Sequence, residues 1–277
     1  MSDLRGRFSA RRHLGEVDGV ELILSGLAFD GPDFARTPLV VDVSGAPGAG
    51  SSTMAAALAA RFGVVARPVG QDRGDGPDHD RRLDDPADLL IRVIGAQARA
   101  CDRAAIRAAE VPVVVVAAKA DTRPDADRLA ANASEDLACP VHPVSALPAA
   151  ARITSADVDV LRSWAAAGVR VPESAAAFAA AAPDQGSAAR LLALLGRAGL
   201  VESLAAVSTD PDLDAQALAV RLRQASGLDA LVAPIAAASA EIARGRRVRR
   251  LSGLRLHAAR GFDRVAVERR LAGERVR

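Results

Sequence analysis

The segment Gly45-Ala46-Pro47-Gly48-Ala49-Gly50-Ser51-Ser52-Thr53 has the residue types of an anion cradle. Its glycines let the backbone turn tightly and aim N–H groups inward, and the Ser/Thr-led helix that follows would offer its positive N-terminus to a phosphate. Gly45, Gly50 and Ser52 fit the frame GxxxxGK[ST], but Ser51 stands where the lysine belongs. Losing one charge-assisted hydrogen bond costs about 1.5–3 kcal/mol, roughly ten- to a hundredfold in affinity. Developing charge on a transferred phosphoryl group relies on that same ammonium. Binding survives such a loss better than turnover does, so no residue is assigned a catalytic role.

A second pair lies at Lys119 and Asp121, behind the apolar run Val111 to Ala117. Of 36 basic residues, 35 are Arg, so Lys119 is the only Lys in a chain that otherwise uses Arg. Ligands of open α/β sheets bind at the carboxyl ends of the strands, where this pair is expected. With Ala118 in place of Asn, the sequence around Lys119 and Asp121 resembles the NKxD guanine-recognition motif of Ras-like and dynamin-like GTPases. The resemblance implies that Asp121 accepts two hydrogen bonds from the guanine edge while the stem of Lys119 lies across the base. Adenine would leave that carboxylate unpaired, which is costly. Downstream, Val144-Ser145-Ala146-Leu147 resembles the SA[KL] motif, whose backbone contacts the guanine carbonyl.

The resemblance implies GTP or GDP as ligand, held by Gly45, Pro47, Gly48, Ala49, Gly50, Ser51, Ser52, Thr53, Lys119, Asp121, Ser145 and Ala146. Ser52 would be the hydroxyl for Mg²⁺. The departures are as informative. Between Phe62 and Asp88 there is room for one strand, Val64 to Val69, and a polar loop. No DxxG motif occurs there; Gln71 to Asp85 carries Asp72, Asp75, Asp78, His79 and Asp80 among glycines, read as a solvated loop rather than a metal site. The expectation is a degenerate, pseudo-enzyme G domain, at most a weak GTP hydrolase, acting through a protein partner such as an intact dynamin-like GTPase.

Elements that would position these residues follow from hydrophobic pattern. Leu39 to Val43, Asp88 to Ile94 and Val111 to Ala117 read as buried parallel strands. Ser52 to Phe62 and Gln97 to Ala109 read as helices between them, and alternation of this kind means a doubly wound, mostly parallel α/β sheet. After residue 150 the chain reads as helical. Thr154 and Asp157 form a capping box for a helix to Ala167, and Pro172 suits a first helical turn. The segments Leu191 to Leu204 and Leu222 to Leu231 resemble the helical region of actinobacterial dynamin-like GTPases. Expected units are an N-terminal helical segment (1–37, with an apolar stripe from His13 to Phe29), a reduced P-loop G domain (38–150), and a helical domain with a basic tail (151–277).

Composition bounds the rest. The 277 residues are 50% hydrophobic and 25% charged, as in folded proteins. No unbroken apolar run reaches the 18 residues of a spanning helix, and no signal peptide is visible. Cys101 and Cys139 lie too far apart for a disulfide scaffold or zinc module, so the cytosol is the simplest compartment, and Cys101 reads as a core residue. His13, His79, His142 and His257 show no nucleophile-and-base spacing. Six Phe, one Trp and no Tyr argue against single-stranded nucleic acid, and no DNA-reading module is present. From Glu241 to Arg277, 12 Arg face four acidic residues, a net of +8 against −6 for the preceding 240 residues. That tail reads as a solvated helix, or as a peripheral contact with the anionic inner face of the membrane. Two rival readings stay open: a P-loop kinase or ATPase, because Pro47 and Ser52-Thr53 resemble kinase loops, and a non-catalytic adaptor with a relic P-loop.

Overall fold

The computed structural model describes residues 38–69, 86–174, 177–178, 180, 182–260 and 264–275. The expected stripe from His13 to Phe29 and the Asp/His loop from Gln71 to Asp85 lie outside the described residues. The fold is α/β, a parallel five-stranded sheet followed by a helical region.

The strands are β1 (Val40–Gly45), β2 (Val65–Val69), β3 (Leu89–Ile94), β4 (Val113–Ala118) and β5 (Val141–Val144), in the order β2-β1-β3-β4-β5. Every pairing is parallel. Helices α1 (Ser51–Phe62), α2 (Ala100–Ala108) and α3 (Ala126–Leu137) connect successive strands, and the short α4 (Ala146–Ala150) follows β5. Val41, Val43, Ile91, Val93, Val114, Val116 and Val144 turn to one face and pack on α1 and α4. Val115, Ala117 and Val141 turn to the other and pack on α3 through Ala130 and Ala133. A strand buried on both faces must be apolar at successive positions, which explains the unbroken Val/Ala run of β4.

Alternation puts Ser44 and Arg92 on that second face, where apolar cover gives way to polar contacts. Arg92 donates to Asp102 of α2 at 2.9 and 2.6 Å and to Ser44 Oγ at 3.2 Å. Asp102 completes its valences by accepting the Arg99 N–H at 2.9 Å. A buried guanidinium is tolerable only when saturated in this way.

The helical region comprises α5 (Ser155–Ala166), α6 (Gln185–Thr209), α7 (Ala215–Ala225), α8 (Val232–Ala237), α9 (Ser239–Ala259) and α10 (Arg264–Arg275). The Thr154–Asp157 capping box is present: Asp157 N–H donates to Thr154 Oγ1 at 3.3 Å, and Thr154 N–H donates back at 2.8 Å. Pro172 is not in a first helical turn but in an irregular stretch before Ser174, whose hydroxyl accepts from Ala177 N–H. The core of α5, α6 and α7 centres on Leu161, Trp164, Leu191, Leu195, Leu200 and Leu218, with Trp164 and Phe178 edge to face at 5.7 Å. Helix α6 is 25 residues long and contains an 18-residue stretch of mean hydropathy 1.6, long and apolar enough by composition to cross a bilayer, although no strictly apolar run predicted it. Its Leu191, Leu195, Leu200 and Val207 are buried within the helical core.

Packing runs across the expected boundary at 150. Leu228, Leu231, Ile235 and Ile242 join the sheet's own core. Gly227 adopts φ 75, and a Cβ there would lie 2.7 Å from the Pro143 carbonyl oxygen, so only glycine permits this approach. Arg61 of α1 grips Asp229 through two bonds of 2.8 and 3.1 Å. At the sheet's N-terminal edge, buried Asp88 accepts from Arg246 and Arg249 of α9 and from Val40 N–H. The basic tail is therefore not simply a solvated face: two of its arginines bind the helical region to the sheet.

Two further expectations change. Cys101 is exposed on α2 rather than buried, because Asp102 is the residue that turns inward to meet Arg92. Cys139 is half-buried, and burial pushes its thiol upward.

Candidate functional site

The loop after β1 begins where strand order reverses: β1 pairs with β2 on one side and β3 on the other, so a crevice opens between the carboxyl ends of β1 and β3. Gly45 sits at that end. A Cβ there would fall 2.8 Å from the Val93 carbonyl oxygen and 2.7 Å from Ser51 Oγ. Backbone crowding thus demands glycine, and the Ser51 hydroxyl folds back over Gly45. Gly48 at φ 75 and Gly50 at φ 101 take left-handed conformations that cost other residues about 1–2 kcal/mol. Ala49 N–H closes a turn on the Ala46 carbonyl at 2.9 Å. Gly50 is the N-cap of α1, whose first turn carries no acidic residue. Ser52 is exposed at that turn, Ser51 and Thr53 half-buried, and Pro47 and Gly48 exposed. The first N–H groups of α1 have no intrahelical acceptor, and its dipole puts partial positive charge there.

Lys119 ends β4 in a left-handed conformation, φ 59, shared among the described non-glycine residues only with Ala138. The strain is held by the turn it opens. Thr122 donates its hydroxyl and its N–H to the Lys119 carbonyl at 2.8 and 3.1 Å, and Arg123 donates to the Ala118 carbonyl at 3.2 Å. At about 1 kcal/mol each, such bonds match the cost of the conformation. The side chain crosses to the glycine loop, where Nζ donates to the Gly48 carbonyl at 2.9 Å. Two segments 71 residues apart thereby meet at one edge of the sheet.

Asp121 follows in a 3₁₀ turn, Ala120–Thr122. Its N–H donates to the buried Ser145 Oγ at 2.9 Å, and Ser145 N–H donates to the Ser226 carbonyl at 2.8 Å. No described residue donates to the Asp121 carboxylate. Ala146 is buried as the first residue of α4.

Helix α6 approaches this end from the helical region. It breaks at Gly196, φ 67 and ψ 177. A Cβ at Gly196 would lie 3.2 Å from Leu147 Cδ2 and 3.7 Å from Asp121 Oδ2. Beside the break a cavity of about 310 Å³ is lined by Asp121, Ser145 and Pro148 on the sheet side and by Glu202, Leu222 and Ala225 on the helical side. No glycine-loop residue lines it, nor does Lys119, whose side chain turns to the loop while the next two residues, Ala120 and Asp121, line the cavity. Glu202 is half-buried and held by Arg221 Nε at 3.0 Å.

The sequence-predicted residues therefore gather at the C-terminal edge of one sheet, in two adjacent groups. The glycine loop forms one, Asp121 with Ser145 the other, and Lys119 bridges them. Glu202 and the Gly196 break were missed. The only sequence signal was an acid set among Leu200, Val201 and Leu204, a pattern equally suited to an exposed helix position. Among the described residues no cluster of three or more His, Cys, Asp or Glu can hold a metal ion. Within β5, burial lowers the pKa of His142, which favours its neutral form. No protein-family model matches the sequence, and a search of the curated proteins finds no match.

Proposed function

We propose that this chain is a degenerate P-loop protein of the Ras-like and dynamin-like kind that binds a guanine nucleotide and turns it over slowly or not at all. The observation that carries the reading is the Lys119–Gly48 bond of 2.9 Å, which supports it by joining the segment that carries Asp121 to the glycine loop. The five-stranded parallel sheet is compatible with a nucleotide-binding α/β fold and supports the same reading.

In this arrangement the base lies toward Asp121, whose open carboxylate accepts N–H donors from the purine edge. The stem of Lys119 lies across the base, and its ammonium reaches the loop at the Gly48 carbonyl. Loop N–H groups and the N-terminus of α1 receive the phosphates. Ser52, exposed in the first turn of α1, is the hydroxyl that would hold Mg²⁺, and the ion would supply positive charge against the phosphates. Ser51 supplies no charge to a γ-phosphate, so the binding half of the machinery outlasts the catalytic half. The output passes to a protein partner, with exposed arginines of the tail such as Arg255 and Arg269 available to an anionic surface.

Calorimetric titration of the full chain with GDP, GTP, ADP and ATP tests the reading. A guanine preference that Asp121→Asn abolishes is expected; equal binding, or none, overturns it. Ser51→Lys should tighten binding roughly ten- to a hundredfold with little turnover. Brisk phosphoryl transfer by that variant would instead favour a kinase-like ancestry.

A further inference from the structure

The cavity at Asp121 has walls from both halves of the chain, and no basic residue stands among its described lining residues. Two of its lining side chains are carboxylates, Asp121 from the end of β4 and Glu202 from α6. Its remaining surface is small or apolar, with Pro148, Gly199, Leu222 and Ala225 among the contributors. Two acids with no lining base disfavour a phosphate and favour a flat, donor-rich group. About 310 Å³ suits one heterocycle rather than a whole nucleotide.

Resting on the guanine reading above, we infer that Glu202 of the helical region is a second specificity residue, accepting a hydrogen bond from the exocyclic 2-amino group of the base. The donor count supports this. Guanine presents N1–H and two amino hydrogens; two oxygens of Asp121 take N1–H and one amino hydrogen, leaving the other without an acceptor on the sheet side. Glu202 is held at the cavity by Arg221 through Oε1, and no described residue tethers Oε2. Gly199 sets the distance: a Cβ there would meet Pro148 Cβ at 3.2 Å, so its lack of a side chain lets α6 lie close against α4. The helical region thus supplies one wall of the base seat.

The test compares GDP, IDP (which lacks only the 2-amino group) and ADP on the wild-type chain, Glu202→Gln and Ala225→Leu. Melting temperature serves as the check on folding. Wild type should prefer GDP over IDP, and Glu202→Gln should reduce that preference about tenfold while leaving IDP affinity unchanged. Ala225→Leu, which fills the cavity from the helical side, should weaken GDP and IDP together by at least about tenfold. If Glu202→Gln leaves the GDP/IDP ratio intact, or weakens both ligands equally, Glu202 does not read the amino group. Wild-type affinity for GDP in Ala225→Leu would place the base elsewhere. Both results overturn this inference while the guanine reading stands. Loss of guanine preference over adenine in wild type itself removes both.

Discussion

The two edges of the sheet carry charge in opposite ways. At the N-terminal edge Asp88 is 3% exposed and takes hydrogen bonds from Arg246, Arg249 and the Val40 N–H. Little acceptor capacity is left over. At the C-terminal edge Lys119 is exposed, its backbone is strained, and its ammonium spends one bond on a carbonyl while the Asp121 carboxylate has no described donor. Charges that hold a fold together are buried and mutually saturated, because an unpaired buried charge is too costly to keep. Charges with open valences beside strained backbone are those available to a ligand.

The contrast breaks first at Asp88. Asp88→Ala leaves Arg246 buried without its carboxylate and should cost about 3–5 kcal/mol in urea denaturation; a loss under about 1 kcal/mol would mean the edge is not structural. Gly50→Ala at the opposite edge meets no neighbouring atom within 4 Å, so its cost is conformational alone, about 1–2 kcal/mol. Between these edges in character lies Asp157 at the entrance to the helical region, its Oδ2 bonded by Thr154 and its buried Oδ1 paired with the Arg190 guanidinium but without a well-formed hydrogen bond. Burial alone would raise its pKa, but hydrogen bonds from Thr154 and the Arg190 guanidinium hold it below the ordinary 3.8. A depressed folded pKa means its stabilisation is complete above that ordinary value and is lost as pH falls through the folded one. Asp157→Asn should therefore flatten the acid limb of the stability profile and cost about 1 kcal/mol at neutral pH through the weakened cap. Smallest of all, Lys119→Met should change stability by no more than about 0.5 kcal/mol, yet reduce guanine-nucleotide affinity about tenfold by calorimetry. A large loss of stability there would make Lys119 another structural charge and erase the contrast.

Much of the sheet was legible along the chain. β1, β3 and β4 lie within about two residues of their expected bounds, because a parallel strand buried on both faces must be a β-branched run closed by turn residues. The glycine loop was legible for a similar local reason: Gly48 and Gly50 occupy backbone conformations that other residues avoid. Cys101 was misread because the period of a helix shows which residues share a face but not which face turns inward. On α2 the inward residue is an acid, chosen by Arg92 from a neighbouring strand.

From its sequence alone this protein was committed to a parallel α/β sheet, a glycine turn before a helix, and a solitary Lys at a strand end. Those are consequences of interactions between near neighbours, and periodicity and backbone sterics record them directly. Only the tertiary structure decided that Lys119 reaches Gly48, that Asp88 claims Arg246 across 158 residues, and that Gly196 and Glu202 come to the cavity at Asp121. Such contacts leave no periodic trace in one chain, since their partners are selected by how whole elements pack and not by the residues beside them.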